Sequence, residues 1–373
     1  MLDYIQLCLI AIFVASAASI LGVFLILRQM SMLIDSITHT VLLGIVLAYF
    51  VTYDLNSPLL ILGAALMGVI TVLLTEALHN TNLVNKDASI GLVFPLLFSS
   101  AIILLTKYGR NTNLSTSTVL LGKIEFAIFD QFKINGVNLG AKSIWIMGVI
   151  LIINIVFVKL FFKELKLTTF DPMLAMTLGF TPALVHYSLM TLVSITTVGA
   201  FQAVGSVLVM SFMVGPPAIA YLISDDLKKM IGISLFVGAL DSIVGIWLAF
   251  LLDLSIAGTI ATCIGVTFFL VFIFSPKVGL IGKMVKRKQQ KIDFMETTML
   301  FHIDRHTILE EADEECNINT INNHFHLEEK AFERTIKALI YDGYVIIKDD
   351  ILNITEKGKL KVESEKLRIF GGK

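Results

Sequence analysis

A carboxylate and an imidazole lie four residues apart in one apolar stretch of this chain. Residues 30–44 have the sequence MSMLIDSITHTVLLG, in which Asp35 and His39 would share one face of an α-helix. Ionisable groups at membrane depth are costly and usually face a cavity or a pathway rather than lipid. Because a carboxylate beside an imidazole suits manganese, iron and zinc ions, the spacing indicates a metal-binding pair. The alternative is an Asp–His pair that only stabilises a helix near a membrane surface.

A further carboxylate, Asp241, lies near the middle of another apolar stretch with the sequence GALDSIVG. It would complete a metal site with Asp35 and His39, or it would hydrogen-bond to a neighbouring helix. The sequence leaves both interpretations open.

Histidines recur in the polar C-terminal part of the chain. His302, His306 and Glu310 follow one another at four-residue spacing, which on a helix forms a single stripe, and His324 and His326 add two imidazoles in a predicted loop or turn. These five residues are candidate ligands of a regulatory metal ion. The alternative is that they are solvated polar residues of a small domain.

The elements that position these residues are predicted to be membrane helices. The chain is 56% hydrophobic and 16% charged, whereas soluble domains are about a quarter charged, so a polytopic membrane protein is expected. Nine apolar runs are long enough to cross a hydrocarbon core of about 30 Å, or eight if the sixth and seventh form one span. The runs are 4–27, 32–53, 58–78, 88–106, 143–163, 183–199, 201–223, 230–252 and 256–275.

The distribution of basic residues predicts the orientation. Under nine spans most basic loop residues fall on one side, and long segments such as the dissenting loop 107–142 obey the charge rule less strictly. The basic residues on that side are Arg28, Lys86, Lys163, Lys166, Lys228, Lys229 and those of the run 283–291. We therefore expect a multi-pass protein of the cell membrane with its N-terminus outside and its C-terminal domain in the cytoplasm.

Three regions are predicted: a transmembrane domain over 1–280, a basic linker over 281–291 and a small cytoplasmic domain over 292–373. The last region holds eleven basic and seventeen acidic residues, a net charge of −6. The three cysteines match no disulfide framework or zinc motif.

A short capped helix is predicted between the fifth and sixth spans. Residues 170–182 have the sequence FDPMLAMTLGFTP, in which Asp171 suits an N-cap, Pro172 a first helical turn and Gly179 a helix end. Such a helix, lying along the membrane, is suited to contact with a partner. An ordinary structured loop is the alternative.

Five motifs occur together, in order, in one family. Residues 27–44, 87–94, 170–180, 204–218 and 250–260 make the chain resemble the permease subunit of bacterial ABC importers for manganese, zinc or iron(II). The resemblance implies a polytopic α-helical fold of the ABC-importer permease type. Leu43 stands where that family often has a proline, and Asp241 where an apolar or small residue is expected.

The resemblance also implies roles and partners. Asp35 and His39 would lie on the metal route, and Phe170, Asp171, Pro172 and Gly179 would belong to the helix that couples to the ATPase. The partners would be an ATP-binding subunit at the cytoplasmic face, an extracellular metal-binding protein and a second permease chain, all at a lipid membrane. The metal ion would be the substrate, with no resident cofactor.

The C-terminal stretch 328–358 is similar to the winged-helix DNA-binding half of metal-dependent repressors, with an amphipathic helix that ends near Gly343 and two short strands joined through 348–350. DNA binding is not expected, because duplex binding depends on Lys and Arg at the phosphates and this region has an excess of acidic residues. We therefore expect it to be a regulatory domain.

The predicted function is transport of divalent metal ions, manganese first and then zinc or iron(II). The chain is not expected to be an enzyme, because it has no phosphate-binding loop of the type G-x-x-x-x-G-K-[ST] and ATP hydrolysis would fall to a separate subunit. One alternative is an ATP-independent metal channel or carrier. The other is a membrane-tethered, metal-responsive transcription regulator.

Overall fold

The computed structural model describes residues 2–54, 57–108, 124–134, 137–275, 279–308, 315–325 and 328–370. The chain divides into two compact units, Met1–Gly279 and Leu280–Lys373. The basic run 281–291, expected as a linker, belongs to the second unit, where it forms part of a helix.

The first unit is a helical bundle with one small hairpin. Its helices are α1 Leu2–Leu27, α2 Ser31–Thr52, α3 Pro58–Asn80, α4 Lys86–Tyr108, α5 Lys142–Leu160, α6 Phe162–Phe170, α7 Pro172–Thr177, α8 Pro182–Val204, α9 Ser206–Ile223, α10 Leu227–Leu252 and α11 Ile256–Phe274. An antiparallel pair, β1 Gln131–Ile134 and β2 Val137–Ala141, precedes α5.

Nine helices of the described residues are long and apolar enough to cross a membrane, which agrees with the nine spans predicted from the sequence. The predicted boundary between the sixth and seventh spans is wrong by about a turn. The division falls at Gly205, which has a φ of +84°, a backbone conformation that glycine adopts without a steric penalty. Helix α9 then continues through Pro216 and Pro217.

Helix α1 lies at the centre of the first unit. It packs against α5, α8, α9 and α10, and most of its side chains from Leu7 to Leu25 are buried. Asn154 of α5 donates to the carbonyl of Ala17 (3.1 Å) and to the hydroxyl of Thr196 (2.9 Å), which ties three helices together. Each such hydrogen bond between membrane helices contributes about 0.6 kcal/mol, so packing supplies most of the cohesion.

Helix α2, which carries the predicted metal pair, packs mainly on α3 and α4. Thr71 of α3 donates to the hydroxyl of Thr40 over 2.8 Å, and both side chains are buried. The buried positions of α2 run almost without interruption from Leu33 to Val46, whereas Asp35 and His39 are half-buried. The helix is therefore fixed by its apolar and threonine faces and leaves its Asp–His face partly open.

The second unit has its own hydrophobic core, with Met299, Ile303, Cys316, Leu339 and Leu352 among its buried residues. Its elements are α12 Leu280–Ile308, α13 Asn322–Phe325, α14 Glu329–Tyr341, the antiparallel pair β3 Val345–Lys348 and β4 Ile351–Ile354, and α15 Glu356–Phe370.

The predicted amphipathic helix and the two strands after it are present in the second unit. Helix α14 buries Phe332, Ile336 and Leu339, spaced as one face of a helix requires. Asp349 and Asp350 link the strands with φ values of +51° and +63°, as in a two-residue hairpin turn. The assignment of this unit as a winged helix stays a prediction.

Candidate functional site

The predicted pair on α2 comes together as the four-residue spacing requires. The Oδ1 atom of Asp35 lies 3.4 Å from Nε2 of His39, a distance beyond the usual range of a strong hydrogen bond. The Asp35 side chain is 39% exposed and that of His39 is 30% exposed. A carboxylate oxygen and an imidazole nitrogen therefore face the same partly open space, and the contact between them is a weak one.

Two aromatic rings of α4 hold the imidazole of His39. The ring centroids of Phe94 and Phe98 lie 5.3 Å and 5.6 Å from that of His39. Its Nδ1 atom is buried and has no hydrogen-bond partner among the described residues. The rings thus limit the rotation of the imidazole, while its Nε2 atom stays on the side of Asp35.

Asp241 lies in a different neighbourhood, between α10 and α11. It is only 2% exposed, and Thr267 of α11 donates to its Oδ1 atom over 2.9 Å. Its Oδ2 atom is buried without a hydrogen-bond partner among the described residues. The structure does not bring Asp241 to Asp35 and His39, since α10 packs mainly on α1, α9 and α11. The hydrogen bond to a neighbouring helix is present, and a role of Asp241 on the metal route stays a prediction.

The segment 170–180 forms the short capped helix that the sequence predicts. The Oδ1 atom of Asp171 accepts a hydrogen bond from the backbone N–H of Leu174 (2.9 Å), and Pro172 occupies the first turn. Gly179 ends the segment with a φ of +85°, which favours glycine. Ala175 is buried and anchors the helix to the bundle.

Helix α7 and its flanks carry a cluster of exposed apolar side chains. Its members are Phe170, Met173, Leu174, Met176 and Leu178, all between 45% and 71% exposed. The helix is six residues long, too short to cross a membrane, so lipid along a span does not account for this cluster. Exposed apolar patches of this kind mark surfaces that bind another protein or the surface of a membrane.

A polar network that the sequence did not reveal lies beside this segment. Arg28, just after α1, donates to the hydroxyls of Thr168 (2.9 Å) and Thr169 (3.1 Å) and to Nδ1 of His186 (3.1 Å). Because a guanidinium only donates, His186 carries its proton on Nε2, which pairs with the carboxylate of Glu76 in α3. Burial lowers the pKa of Arg28 to about 10, so the group remains charged at neutral pH.

The network borders a cavity of about 520 Å³, lined by residues of α3, α6, α8 and the α1–α2 turn. No local signal links its members, which are up to 158 positions apart in the chain. The network joins the segment just before the capped helix to the ends of three membrane helices. A displacement of that segment would therefore reach the bundle through polar contacts.

In the second unit His302 and His306 lie together on α12, with ring centroids 4.5 Å apart. Glu310 and His326, the other predicted members of their stripe and turn, lie outside the described residues. Glu315, a carboxylate outside the four-residue spacing of that stripe, lies beside the two histidines. His324 contacts the same carboxylate, with 3.0 Å between Nε2 and Oε2.

Comparisons with known proteins place the first unit among transport proteins. The model of the ABC 3 transport family matches residues 1–275. The zinc transport system membrane protein TroD of Treponema pallidum is 39% identical over 353 residues, which cover 95% of this chain and 96% of that protein. The manganese transport system membrane protein MntD of Bacillus subtilis is 40% identical over 275 residues, 74% of this chain and 93% of that protein.

A solved structure has the same fold. PsaBC from Streptococcus pneumoniae, in complex with Fab, matches with a TM-score of 0.62 and 27% identity, over 76% of this chain and 94% of that chain. The match to TroD extends over most of the second unit as well, because it leaves only a twentieth of this chain uncovered.

Proposed function

Because the chain belongs to the ABC 3 transport family, we propose that it is the permease subunit of an ATP-driven importer of divalent transition metal ions. Manganese is the first choice of substrate, followed by zinc and iron(II). Two relatives, each matched by this chain over more than nine tenths of its own length, are named for zinc and for manganese transport. The observation that carries the proposal is the Asp35–His39 pair, because its oxygen and nitrogen donors suit these ions and lie within a membrane helix.

The metal ion passes the pair on α2 rather than staying there. Two donors from one helix are fewer than the four that a closed zinc site uses, and a conduit must release what it binds. The partial exposure of both side chains leaves room for an ion and its remaining water molecules. Asp241 is the third proposed metal-route residue. It lines a cavity of about 620 Å³ between α10 and α11, and its Oδ2 atom has no hydrogen-bond partner within the part of the chain that the structure describes.

The ATPase subunit binds the exposed apolar cluster on α7, with Phe170, Asp171, Pro172 and Gly179 shaping the contact. The Asp171 cap and the Pro172 turn make this helix a rigid body, since they fix its first turn. Arg28 then carries the displacement to α1, α3 and α8 through Thr168, Thr169 and His186. ATP binding and hydrolysis belong to the separate subunit.

The complete importer contains two permease chains and an extracellular metal-binding protein, in the cell membrane. The second unit lies in the cytoplasm, as the basic residues on that side predict. We do not favour an autonomous channel or carrier, since the capped helix with its exposed apolar cluster would then lack a partner. A DNA-binding regulator is disfavoured by the excess of acidic residues over 292–373, the region that holds the two strands and the helices beside them.

The test is uptake into proteoliposomes that contain this chain, its ATPase and, outside, its metal-binding protein. We expect accumulation of radioactive manganese only when ATP is enclosed with the ATPase, and no accumulation with a non-hydrolysable analogue. Equal uptake without ATP would establish the channel or carrier instead. Competition with unlabelled zinc and iron(II) in the same vesicles ranks the substrates.

A further inference from the structure

A three-donor cluster in the second unit has the composition of a transition-metal site. One ligand atom from each of His302, His306 and Glu315 lies within 4.8 Å of the other two. Donors around a tetrahedral zinc ion are about 3.3 Å apart, given metal–nitrogen distances of about 2.0 Å. The three donors are therefore at most about 1.5 Å farther apart than a bound zinc ion would require.

The backbone around the cluster is held in place by other elements of the unit. His302 and His306 are one turn apart on α12, whose residues Met299 and Ile303 are fully buried in the core. The residue after Glu315, Cys316, is also fully buried, and its carbonyl accepts a hydrogen bond from the N–H of Leu352 in β4 (2.9 Å). Donors carried by a packed helix and by a segment tied to a strand are preorganised.

Hydrogen bonds around the cluster also orient the donors. The Nε2 atom of His302 lies 3.2 Å from the carbonyl oxygen of Glu315, and a carbonyl can only accept, so Nε2 carries the proton. The lone pair of His302 is therefore on Nδ1. His324 contacts one oxygen of the Glu315 carboxylate (3.0 Å) and leaves the other oxygen to a different partner. Partners of this kind fix the tautomer and direction of metal ligands in known sites.

We propose that the second unit binds one divalent transition metal ion through His302, His306 and Glu315, with His324 positioning the carboxylate. Two imidazoles and one carboxylate select zinc, manganese, iron(II) or cobalt(II) over calcium and magnesium, which prefer oxygen ligands. With three donors from packed elements, the ion stays bound longer than at the two-donor pair on α2. The statement that this ion belongs to the same class as the transported ion rests on the proposed function. The binding of an ion by these three residues is independent of that function.

Cobalt(II) titration of the full-length chain in detergent tests the site, because its visible absorption reports nitrogen and oxygen ligands. The titrations use a His39→Ala background, which removes the pair on α2. We expect one cobalt ion per chain with visible bands, and competition by zinc. The double variant His302→Gln, His306→Gln should lose the bands, with affinity reduced by about 100-fold or more. Glu315→Gln should weaken binding, while the matched control Glu333→Gln, an exposed carboxylate on α14, should not.

A second variant keeps the result interpretable if the double variant is misfolded. His306→Cys supplies a thiolate at the same position, so it should retain the ion and add a sulfur-to-cobalt charge-transfer band. Unchanged bands in the double variant, or a His306→Cys chain that binds cobalt without that band, would overturn the site. ATP-dependent uptake, measured in parallel on chains that keep His39, separates this outcome from a failure of the proposed transport function, because each assay can fail while the other succeeds.

Discussion

Each of the two units holds a group of histidine and carboxylate side chains, and the groups differ in how many donors converge. In the first unit Asp35 and His39 supply one oxygen and one nitrogen from a single helix. In the second unit His302, His306 and Glu315 supply three donors from two segments of the chain. Fewer ligands favour release, whereas three or more favour retention. The two proposals therefore differ in one respect: the ion would pass the pair on α2 and would stay at the cluster of the second unit.

The difference also lies in what surrounds each group. His39 is packed by two phenylalanine rings and has a buried nitrogen without a partner among the described residues. The cluster of the second unit is held by hydrogen bonds from the backbone and from His324. Apolar walls position the first pair without competing for its donors, while polar partners set the direction of the second group. Four changes test this contrast.

The largest effect is expected from Asp35→Ala, which removes the only oxygen donor of the pair. ATP-dependent uptake should fall by about 100-fold, since loss of even an outer partner of a metal ligand costs 10- to 100-fold in affinity. The measurement is initial manganese uptake in proteoliposomes at equal amounts of inserted protein. Asp253→Asn is the control, because it removes an exposed carboxylate at the end of α10 and asparagine tolerates the positive φ there. Similar uptake by wild type and Asp35→Ala would remove the pair from the route.

A large effect is also expected from Asp171→Lys, in the coupling segment. The change removes the hydrogen bond to the N–H of Leu174, worth about 1 kcal/mol, and places a positive charge at the positive end of α7. Uptake and metal-stimulated ATP hydrolysis should both be lost, whereas Asp171→Asn, which keeps a capping oxygen, should retain most of both. Full stimulation of the ATPase in the Asp171→Lys importer, with transport lost, would place the coupling contact elsewhere.

A smaller effect is expected from Arg28→Lys, which keeps the charge but replaces a planar fork by a single ammonium group. The three hydrogen bonds come from three different nitrogens of Arg28, and one ammonium nitrogen cannot replace them all at Thr168, Thr169 and His186. An acceptor left without its hydrogen bond costs about 1–3 kcal/mol. We expect about tenfold slower uptake with basal ATP hydrolysis unchanged. Arg334→Lys, on the exposed face of α14, is the matched control. A wild-type ratio of ATP hydrolysed to metal transported would exclude this network from coupling.

The smallest effect is expected from truncation after Lys291, which removes the cluster of the second unit. If a retained cytosolic ion shifts the permease toward a resting state, the shortened chain should import at the normal initial rate but accumulate more metal at high supply. Glu315→Gln in the full chain should move accumulation in the same direction. Identical plateau levels in wild type, truncation and Glu315→Gln would leave the second unit without a feedback role.

Hydropathy predicted the nine spans because membrane helices must bury their backbone polar groups within a continuous apolar run. The motifs assigned the family, which the match over residues 1–275 confirms. The Asp35–His39 pair and the Asp171 cap were within reach because each depends on contacts over three or four residues. The spacing of residues along the chain is enough to predict contacts of this short range.

Contacts between distant residues were not predictable in this way. The network of Arg28, His186 and Glu76 depends on how three helices pack, and Glu315 enters its cluster through the hydrogen bond of Cys316 to β4. The boundary at Gly205 was missed because hydropathy does not distinguish a positive φ from a helical one. A single sequence, read by itself, contains no direct record of which distant residues come into contact.

A crossed uptake experiment tests the central claim most directly. Initial ATP-dependent manganese uptake and cobalt binding are measured on His39→Ala and on the double variant His302→Gln, His306→Gln. We predict that His39→Ala abolishes uptake and keeps the retained cobalt ion, while the double variant loses the ion and imports at the wild-type initial rate. Wild-type uptake by the His39→Ala chain would contradict the claim that the metal ion passes through the pair on α2.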